Sequence, residues 1–321
     1  MKHVAKQVAV VGAGNWGQNL VRVFHELGAL AAVAETSPFL RERLAAEYPE
    51  VWIADSYHAI MASEIPAVVI ATPAATHYRL ARTALERGKD VFLEKPMALS
   101  FPEANELEAL AREKGRVLMV GHLLLYQPAI PWIRGYVASG ELGVLHSIHL
   151  KRVQPGRVRS AENALWSLGV HDVAVLLHLT GERPLRIKAT GQRALQADVE
   201  DDVHVHFVFP AGVHAHLHVS WLWPQTERQM MLIGSRGMLE FREREQTVIL
   251  HRTSVREDLS FHKGESEVLF CESRPPLQAE AAHFLHCIQT RQTPLSDGSA
   301  GVEVIRVLEQ ATRVMREEEA G

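Results

Sequence analysis

The stretch QVAVVGAGNWG, at positions 7–17, decides the fold of this chain. Its first half is a short apolar run rich in valine, which predicts a buried parallel strand. Its second half follows the spacing GxGxxG, which in a strand–turn–helix context binds the pyrophosphate of a dinucleotide. The alternative is a purely structural turn without a ligand. The loop supplies five candidate cofactor contacts: Gly12, Gly14, Asn15, Trp16 and Gly17.

Outward from this stretch, strand-like and helix-like segments alternate up to about residue 120. The sequence predicts strands at 7–12, 30–35, 65–71, 90–93 and 117–120, and helices at 19–27, 39–48, 77–87 and 102–114. This alternation is typical of a doubly wound parallel sheet, a Rossmann domain. We therefore assign residues 1–122 to a Rossmann NAD-binding domain.

The remaining residues show a different pattern. After predicted helices at 131–139 and 165–179, residues 185–250 alternate with period two, as antiparallel strands do. Two helices are predicted at the end, 278–290 and 300–319. We assign residues 123–321 to a second α/β domain with a mostly antiparallel open sheet, for substrate binding and oligomerisation. The fold class is therefore α/β throughout.

Composition excludes several classes of protein. The 321 residues carry a formal net charge of −4 at pH 7, which argues against nucleic acid or an anionic membrane as partner. No apolar run reaches membrane-spanning length. The two cysteines form no CxxC pair, and a strand follows the first residues at once, without room for a signal peptide. These features favour a cytoplasmic protein.

Glu35 bears on the choice of cofactor. It lies 23 positions after Gly12, at the end of the second predicted strand. A carboxylate at this place accepts the hydroxyls of the adenosine ribose and repels a 2′-phosphate. No arginine follows immediately, since Arg41 and Arg43 lie in the next predicted helix. The sequence thus favours NAD over NADP; alternatively, Glu35 only caps the following turn.

A second motif ends the strand DVFLEKP, where Glu94, Lys95 and Pro96 reach the carboxyl edge of the predicted sheet. Ligands of doubly wound sheets bind at that edge. Together with Thr72 and Pro73 after the previous strand, in AVIATPAATH, the pattern resembles the Gfo/Idh/MocA oxidoreductase family. The resemblance covers the whole chain. It implies a Rossmann domain, a second domain on a mostly antiparallel sheet, and oxidation or reduction of sugar or cyclitol carbons with NAD or NADP.

The resemblance also implies roles for individual residues. Lys95 matches the motif lysine that contacts the reacting hydroxyl and the nicotinamide ribose. The positions that match the family's cofactor contacts are Thr72, Pro73, His77, Glu94 and Lys95.

The family's catalytic histidine matches His171, in the segment LWSLGVHDVAVLLHLTG. Histidine titrates near neutrality and can take a hydroxyl proton as hydride leaves. Many relatives carry aspartate four residues earlier, on the same helix face, where this chain has Ser167. The first candidate for the catalytic base is therefore His171, and the second is Lys95. A further option is that the two residues share the proton.

Further patterns resemble the nucleotide-sugar 3-dehydrogenase branch of the family. They include LWSLGVHD, Tyr126 after the strand predicted at 117–120, and the segment VSW. The resemblance implies UDP-N-acetylglucosamine or its uronic acid as substrate, with a 3-keto product used by an aminotransferase. The segment KRVQPGRVRSAEN predicts a basic loop between the domains, which either supplies donors to a diphosphate or is only a solvated loop. Substrate candidates are Lys95, Tyr126, Arg157, Asn163 and His171. The alternatives are a free-sugar or inositol dehydrogenase and a non-catalytic NAD sensor.

Histidines alternate along one predicted strand of the second domain, and two more lie on its neighbour: His214, His216 and His218, with His204 and His206. Period two places each set on one sheet face. Imidazole rows can bind zinc, but no carboxylate partner is obvious, so we expect no metal. We expect this face instead to join subunits of a homo-oligomer, as in relatives.

Overall fold

The computed structural model describes residues 6–156, 158–160, 162–255 and 258–319. The chain forms two compact units. The first comprises the residues up to Leu123 together with Pro275–Ile305, and the second comprises Leu124–Arg274 together with the residues from Arg306 onward. Among the described residues, no helix combines the length and the apolar character needed to cross a membrane.

The first unit is built on a six-stranded parallel sheet. Its strands are β1 (Val8–Val11), β2 (Leu30–Ala34), β3 (Trp52–Ala54), β4 (Ala67–Ile70), β5 (Asp90–Leu93) and β6 (Leu118–Val120). The order β3-β2-β1-β4-β5-β6 is that of a Rossmann sheet. Every residue of β1, β4 and β5 is buried, which explains their uninterrupted apolar runs.

The helices of this sheet begin and end at the signals in the sequence. They are α1 (Gly17–Glu26), α2 (Pro38–Glu47), α3 (Tyr57–Met61), α4 (His77–Glu86) and α5 (Phe101–Glu113). At the start of α2 the Ser37 hydroxyl accepts a hydrogen bond from the Leu40 amide, with Pro38 in the first turn. Serine followed by proline is a signal for the start of a helix that is visible in the sequence.

The second unit carries an eight-stranded sheet, the helices α6 (Ala129–Ala138) and α7 (Val170–Thr180), and the part of the last helix that follows Ile305. Its strands are β7 (Leu145–Pro155), β8 (Arg186–Gln192), β9 (Asp202–Val208), β10 (His214–Ser220), β11 (Leu222–Gly234), β12 (Gly237–Arg242), β13 (Thr247–His251) and β16 (Ser266–Cys271). Between β13 and β16, the strands β14 (Ser254–Val255) and β15 (Phe261–His262) form a separate small hairpin. The order is β16-β13-β12-β11-β7-β10-β9-β8, and only the β7–β10 pair is parallel. The expected mostly antiparallel sheet is confirmed.

Two helices close the chain, α8 (Pro276–Thr290) and α9 (Gly298–Glu319). The structure differs here from the expected division at 122/123, because residues 275–305 belong to the first unit. Phe284 of α8 packs edge-on against Phe24 and Phe92, with ring centroids 6.4 and 5.7 Å apart. These apolar contacts complete the core of the Rossmann unit from a distant part of the chain.

The sequence prediction lacked β3, α3 and β7, and also β14, β15 and β16, which lie between residue 250 and the last two helices. The strand β3 is only three residues long and begins at the exposed Trp52, so it is shorter than the apolar runs that predict a buried strand. The short helix α3 follows it. The strand β7 was taken for a basic inter-domain loop, since Arg152 occupies a buried position that alternates with Ile148 and Leu150. A charge at an inward position breaks the period-two pattern.

Candidate functional site

The glycine loop between β1 and α1 has the form that a dinucleotide requires. Gly12 has φ +88°, a left-handed conformation that favours glycine. A Cβ on Gly17 would lie 2.0 Å from the Gly12 carbonyl oxygen, so α1 can approach the strand only because this residue has no side chain. By contrast, no described atom lies within 4 Å of the point where a Cβ of Gly14 would be. The loop thus leaves open space over its backbone at Gly14.

Glu35 directly follows β2 and holds the loop in place. One carboxylate oxygen accepts the Ala13 amide at 2.7 Å, and the other accepts the Ser37 amide at 2.9 Å. The second bond is the turn-capping role that sequence reasoning left open. An ionised carboxylate has about four acceptor sites, so two structural bonds leave capacity for ribose hydroxyls.

The sequence prediction gave Arg41 no role in the site, but its side chain lies at the end of β2. Its Nη1 donates to the carbonyl oxygens of Glu35 and Thr36, at 3.0 and 2.7 Å. The helix α2 turns the side chain back toward the end of β2, although Arg41 is six positions beyond Glu35. Its position in the first turns of α2 is the signal that could have indicated this contact.

His77 joins two loops of the same sheet edge. Its ring nitrogens lie 2.8 Å from the carbonyl oxygens of Thr72 and Pro96, and the residue is only 1% exposed. The Thr72 hydroxyl lies 2.7 Å from that of Thr76 within the turn that starts at Pro73. The structure therefore uses the His77 side chain to position loops. Direct contact of His77 with a cofactor stays a prediction.

Glu94 connects the motif after β5 to the glycine loop. Trp16 Nε1 donates to its Oε1 at 2.6 Å, and the Lys95 amide donates to its Oε2 at 3.2 Å. The peptide bond between Lys95 and Pro96 is cis. Burial raises the pKa of the Glu94 carboxyl to about 7, although Trp16 and Lys95 both oppose the rise. The carboxylate thus titrates near neutrality.

Two more buried titratable groups lie in this unit, and neither was assigned a role from the sequence. Burial, aided by the Lys95 charge, lowers the pKa of His122 to about 3. Glu280 of α8 is fully buried, and burial followed by the nearby Glu94 raises its pKa well above the ordinary value. His122 is therefore neutral at pH 7, and burial favours the neutral form of Glu280. His122 lies two residues after β6, whereas Glu280 lies in α8, far along the chain.

In the second unit, the residues before α7 form a π-helical turn, Leu165–Gly169, which contains the buried Ser167. Single π turns occur often at functional sites. His171 is the second residue of α7 and is half-buried. The structure thus places the predicted histidine at the start of a helix, directly after an irregular turn.

Asp172, next to His171, points into a buried ion cluster. Arg152 of β7 donates to both of its carboxylate oxygens, at 2.6 and 3.1 Å, and also to Glu243 at 2.6 Å. Arg228 adds a contact to Glu243 at 3.3 Å. Arg152 holds the pKa of Glu243 below its usual range. Arg152 is therefore no part of a substrate loop; it fastens the first turn of α7 to the sheet.

The other substrate candidates have the following places. Asn163 is buried; its amide nitrogen donates to Glu200 at 2.7 Å, and its oxygen accepts the Trp166 amide at 3.1 Å. It caps the π-helical turn, and contact with substrate stays a prediction. Tyr126 ends a short 3₁₀ helix and is half-buried. Arg157 lies outside the described residues.

Tested against NAD, the residues of the first unit fit this cofactor. The open space over Gly14 suits a pyrophosphate facing the N-terminus of α1. Glu35 suits the adenosine ribose. The glycine loop, Glu35, Thr72 and Lys95 follow β1, β2, β4 and β5, and all lie at the carboxyl edge. The reversal of strand order falls between β1 and β4, where such sheets bind ligands.

Two family models match the chain. Residues 6–122 match the oxidoreductase family, NAD-binding Rossmann fold, and residues 132–240 match the GFO/IDH/MocA C-terminal domain. The chain is 27% identical to UDP-N-acetylglucosamine 3-dehydrogenase of Acidithiobacillus ferrooxidans over 93% of this chain and 94% of that protein. It is 34% identical to inositol 2-dehydrogenase 1 of Mycolicibacterium vanbaalenii, over 56% and 55% of the two chains. A solved structure of the Acidithiobacillus ferrooxidans UDP-N-acetylglucosamine 3-dehydrogenase aligns with TM-score 0.86 at 26% identity, covering 97% of each chain.

Proposed function

This chain belongs to the Gfo/Idh/MocA oxidoreductase family, and from that premise we propose that it oxidises the C3 hydroxyl of UDP-N-acetylglucosamine to a 3-keto sugar with NAD. The family and the NAD-binding domain are given by the matching residues. The similarity to a UDP-N-acetylglucosamine 3-dehydrogenase over nearly the full length of both chains supports the substrate.

The hydrogen bond from Trp16 to Glu94 is the observation that carries the proposal of a dehydrogenase. It joins the loop after β1 to the loop after β5 across the intervening β4. Lys95 thereby stands on the same sheet edge as the dinucleotide loop. A non-catalytic NAD sensor has no need for a cationic motif fastened to that loop.

Oxidation of the alcohol removes a hydride from C3 and a proton from its oxygen, and leaves a C=O bond. Bound NAD supplies the hydride acceptor. The chain supplies the group that takes the proton, His171 as first candidate and Lys95 as second. The helix start at His171 is held by the Arg152–Asp172 pair. The glycine loop and Glu35 would hold the cofactor.

The substrate is tested by NADH formation with a panel of compounds. The panel contains UDP-N-acetylglucosamine, its uronic acid, UDP-glucose, free N-acetylglucosamine and myo-inositol. We expect kcat/KM for UDP-N-acetylglucosamine to exceed that for every free sugar or cyclitol at least tenfold, since the diphosphate adds charge-assisted contacts. Preference for inositol would support the alternative indicated by the partial similarity to inositol 2-dehydrogenase 1. Absence of NADH with every compound would refute both.

The proton acceptor is tested by His171→Ala and Lys95→Ala. We expect each to lower kcat on the order of 10²- to 10⁴-fold, the usual contribution of acid–base catalysis. His178→Gln, on the same helix, is the matched control and should keep kcat within about twofold of wild type. The residue whose removal abolishes the pH dependence of kcat is the base. If neither variant lowers kcat, both roles are wrong.

Two further expectations belong to this proposal. The 3-keto product is the kind of carbonyl compound that an aminotransferase consumes. Self-association through the second sheet predicts a homo-oligomer, which light scattering on the full chain would measure; a monomer at all concentrations would contradict it.

A further inference from the structure

The polar face of the second sheet gathers histidines from three adjacent strands. This histidine face comprises His149 of β7, His204 and His206 of β9, and His214, His216 and His218 of β10. The alternate residues of β9 and β10 are buried on the other face. There, Leu217 and Val219 lie within 3.5 Å of the place where a Cβ of Gly169 would be. The histidine face is therefore opposite the side on which the turn before His171 packs.

At one end of the histidine face, three side chains converge. His204 and His218 are cross-strand partners, and Asp202 lies two positions before His204 on the same face. His218 Nε2 is 3.1 and 3.2 Å from the two Asp202 oxygens, and His204 Nε2 is 3.5 Å from Oδ1. The two rings are nearly parallel, 4.0 Å apart. The sequence alone showed no carboxylate for these histidines, and the fold supplies one.

We propose that Asp202, His204 and His218 form a binding site for a divalent transition metal of the Zn²⁺ class. One potential ligand atom from each residue lies within 4.8 Å of the other two. A tetrahedral Zn²⁺ with ligands at about 2.0–2.2 Å needs them about 3.3–3.6 Å apart, so small side-chain rotations suffice. Two imidazoles and a carboxylate are ligands that Zn²⁺ prefers, and a water completes the tetrahedron.

The surroundings support a metal at this place. His218 and Asp202 are 16% and 18% exposed, and His204 is 63% exposed. The Trp223 ring packs edge-on against His218. Lys151, the cross-strand neighbour of His218, lies over the Trp223 ring, and Glu227 pairs with its charge at 2.5 Å.

The site is independent of the proposed reaction, because it lies on the sheet face opposite the turn before His171.

The test measures Zn²⁺ binding to the full-length chain without a purification tag, after treatment with a chelator, by titration calorimetry and elemental analysis. We expect one ion per chain. His204→Gln and Asp202→Asn should each weaken binding at least tenfold, since even outer-shell changes cost 10- to 100-fold. His146→Gln, at an exposed position of the same sheet outside the site, should bind as wild type does.

Circular dichroism checks that the variants fold, and His204 is exposed enough for its substitution to be tolerated. Co²⁺ bound to wild-type protein gives a second measurement, an intense visible spectrum typical of tetrahedral sites that is lost in His204→Gln. Absence of Zn²⁺ binding would overturn the proposal. The proposal would also be overturned if His204→Gln bound Zn²⁺ as tightly as wild type. The same conclusion would follow if His206→Gln, at a neighbouring histidine, weakened binding as much as His204→Gln does.

Discussion

Replacing Glu94 by glutamine should change how the stability of this protein depends on pH. Burial raises the pKa of the carboxyl from 4.5 to about 7 in the folded chain. The folded state then binds the proton more tightly than the unfolded state, so stability is greatest below pH 4.5 and is lost as the pH rises toward 7. Each tenfold change in proton affinity is about 1.4 kcal/mol, so ionised Glu94 costs about 3 kcal/mol above pH 7.

Glutamine removes this titration and keeps the shape of the side chain. Its oxygen still accepts the Trp16 hydrogen bond, but its NH₂ group cannot accept from the Lys95 amide, at a pH-independent cost of about 1 kcal/mol. The free energy of unfolding of Glu94→Gln minus that of wild type should therefore be slightly negative near pH 4.5. It should rise by about 3 kcal/mol by pH 7.5.

Urea unfolding, followed by tryptophan fluorescence between pH 4.5 and 8, measures this difference. The exposed Glu42→Gln, on α2, is the matched control and should differ from wild type by the same small amount at every pH. NMR of labelled glutamate carboxyls gives a second reading, one resonance with a midpoint near 7 that is missing in Glu94→Gln. A difference curve that stays flat within about 0.5 kcal/mol would refute the reasoning.

Three other substitutions test separate parts of the structure. Arg152→Met leaves two buried carboxylates without their cation. It should lower the free energy of unfolding, measured by urea titration, by about 3–5 kcal/mol, and a loss under about 1 kcal/mol would contradict this. Gly17→Ala places a Cβ 2.0 Å from the Gly12 carbonyl oxygen and should weaken NAD binding at least tenfold in calorimetry, whereas Gly28→Ser, beyond α1, should not. Glu35→Ala should lower the ratio of kcat/KM for NAD over NADP at least tenfold, because the acceptor for the ribose is lost; an unchanged ratio would exclude Glu35 as the discriminating residue.

The Rossmann half of the fold was predictable from local sequence. The apolar runs of β1, β4 and β5 are fully buried central strands, and such runs are visible without any tertiary information. The Ser37 cap and the glycine spacing likewise depend on neighbouring residues only. For the same reason, the order of the elements predicted where each strand ends. It therefore also predicted that Glu35 and Lys95 lie at the carboxyl edge of the sheet.

What the sequence determined by itself is thus the order of the central strands and main helices of the first unit and the residues at the carboxyl edge of its sheet, since both depend on contacts within a few positions. Tertiary structure alone decided three other things. Phe284 completes the core of the first unit, Asp202 meets two histidines, and buried Arg152 pairs with Asp172. Each joins groups from separate elements, and the burial that neutralises or pairs a charge arises only when those elements pack.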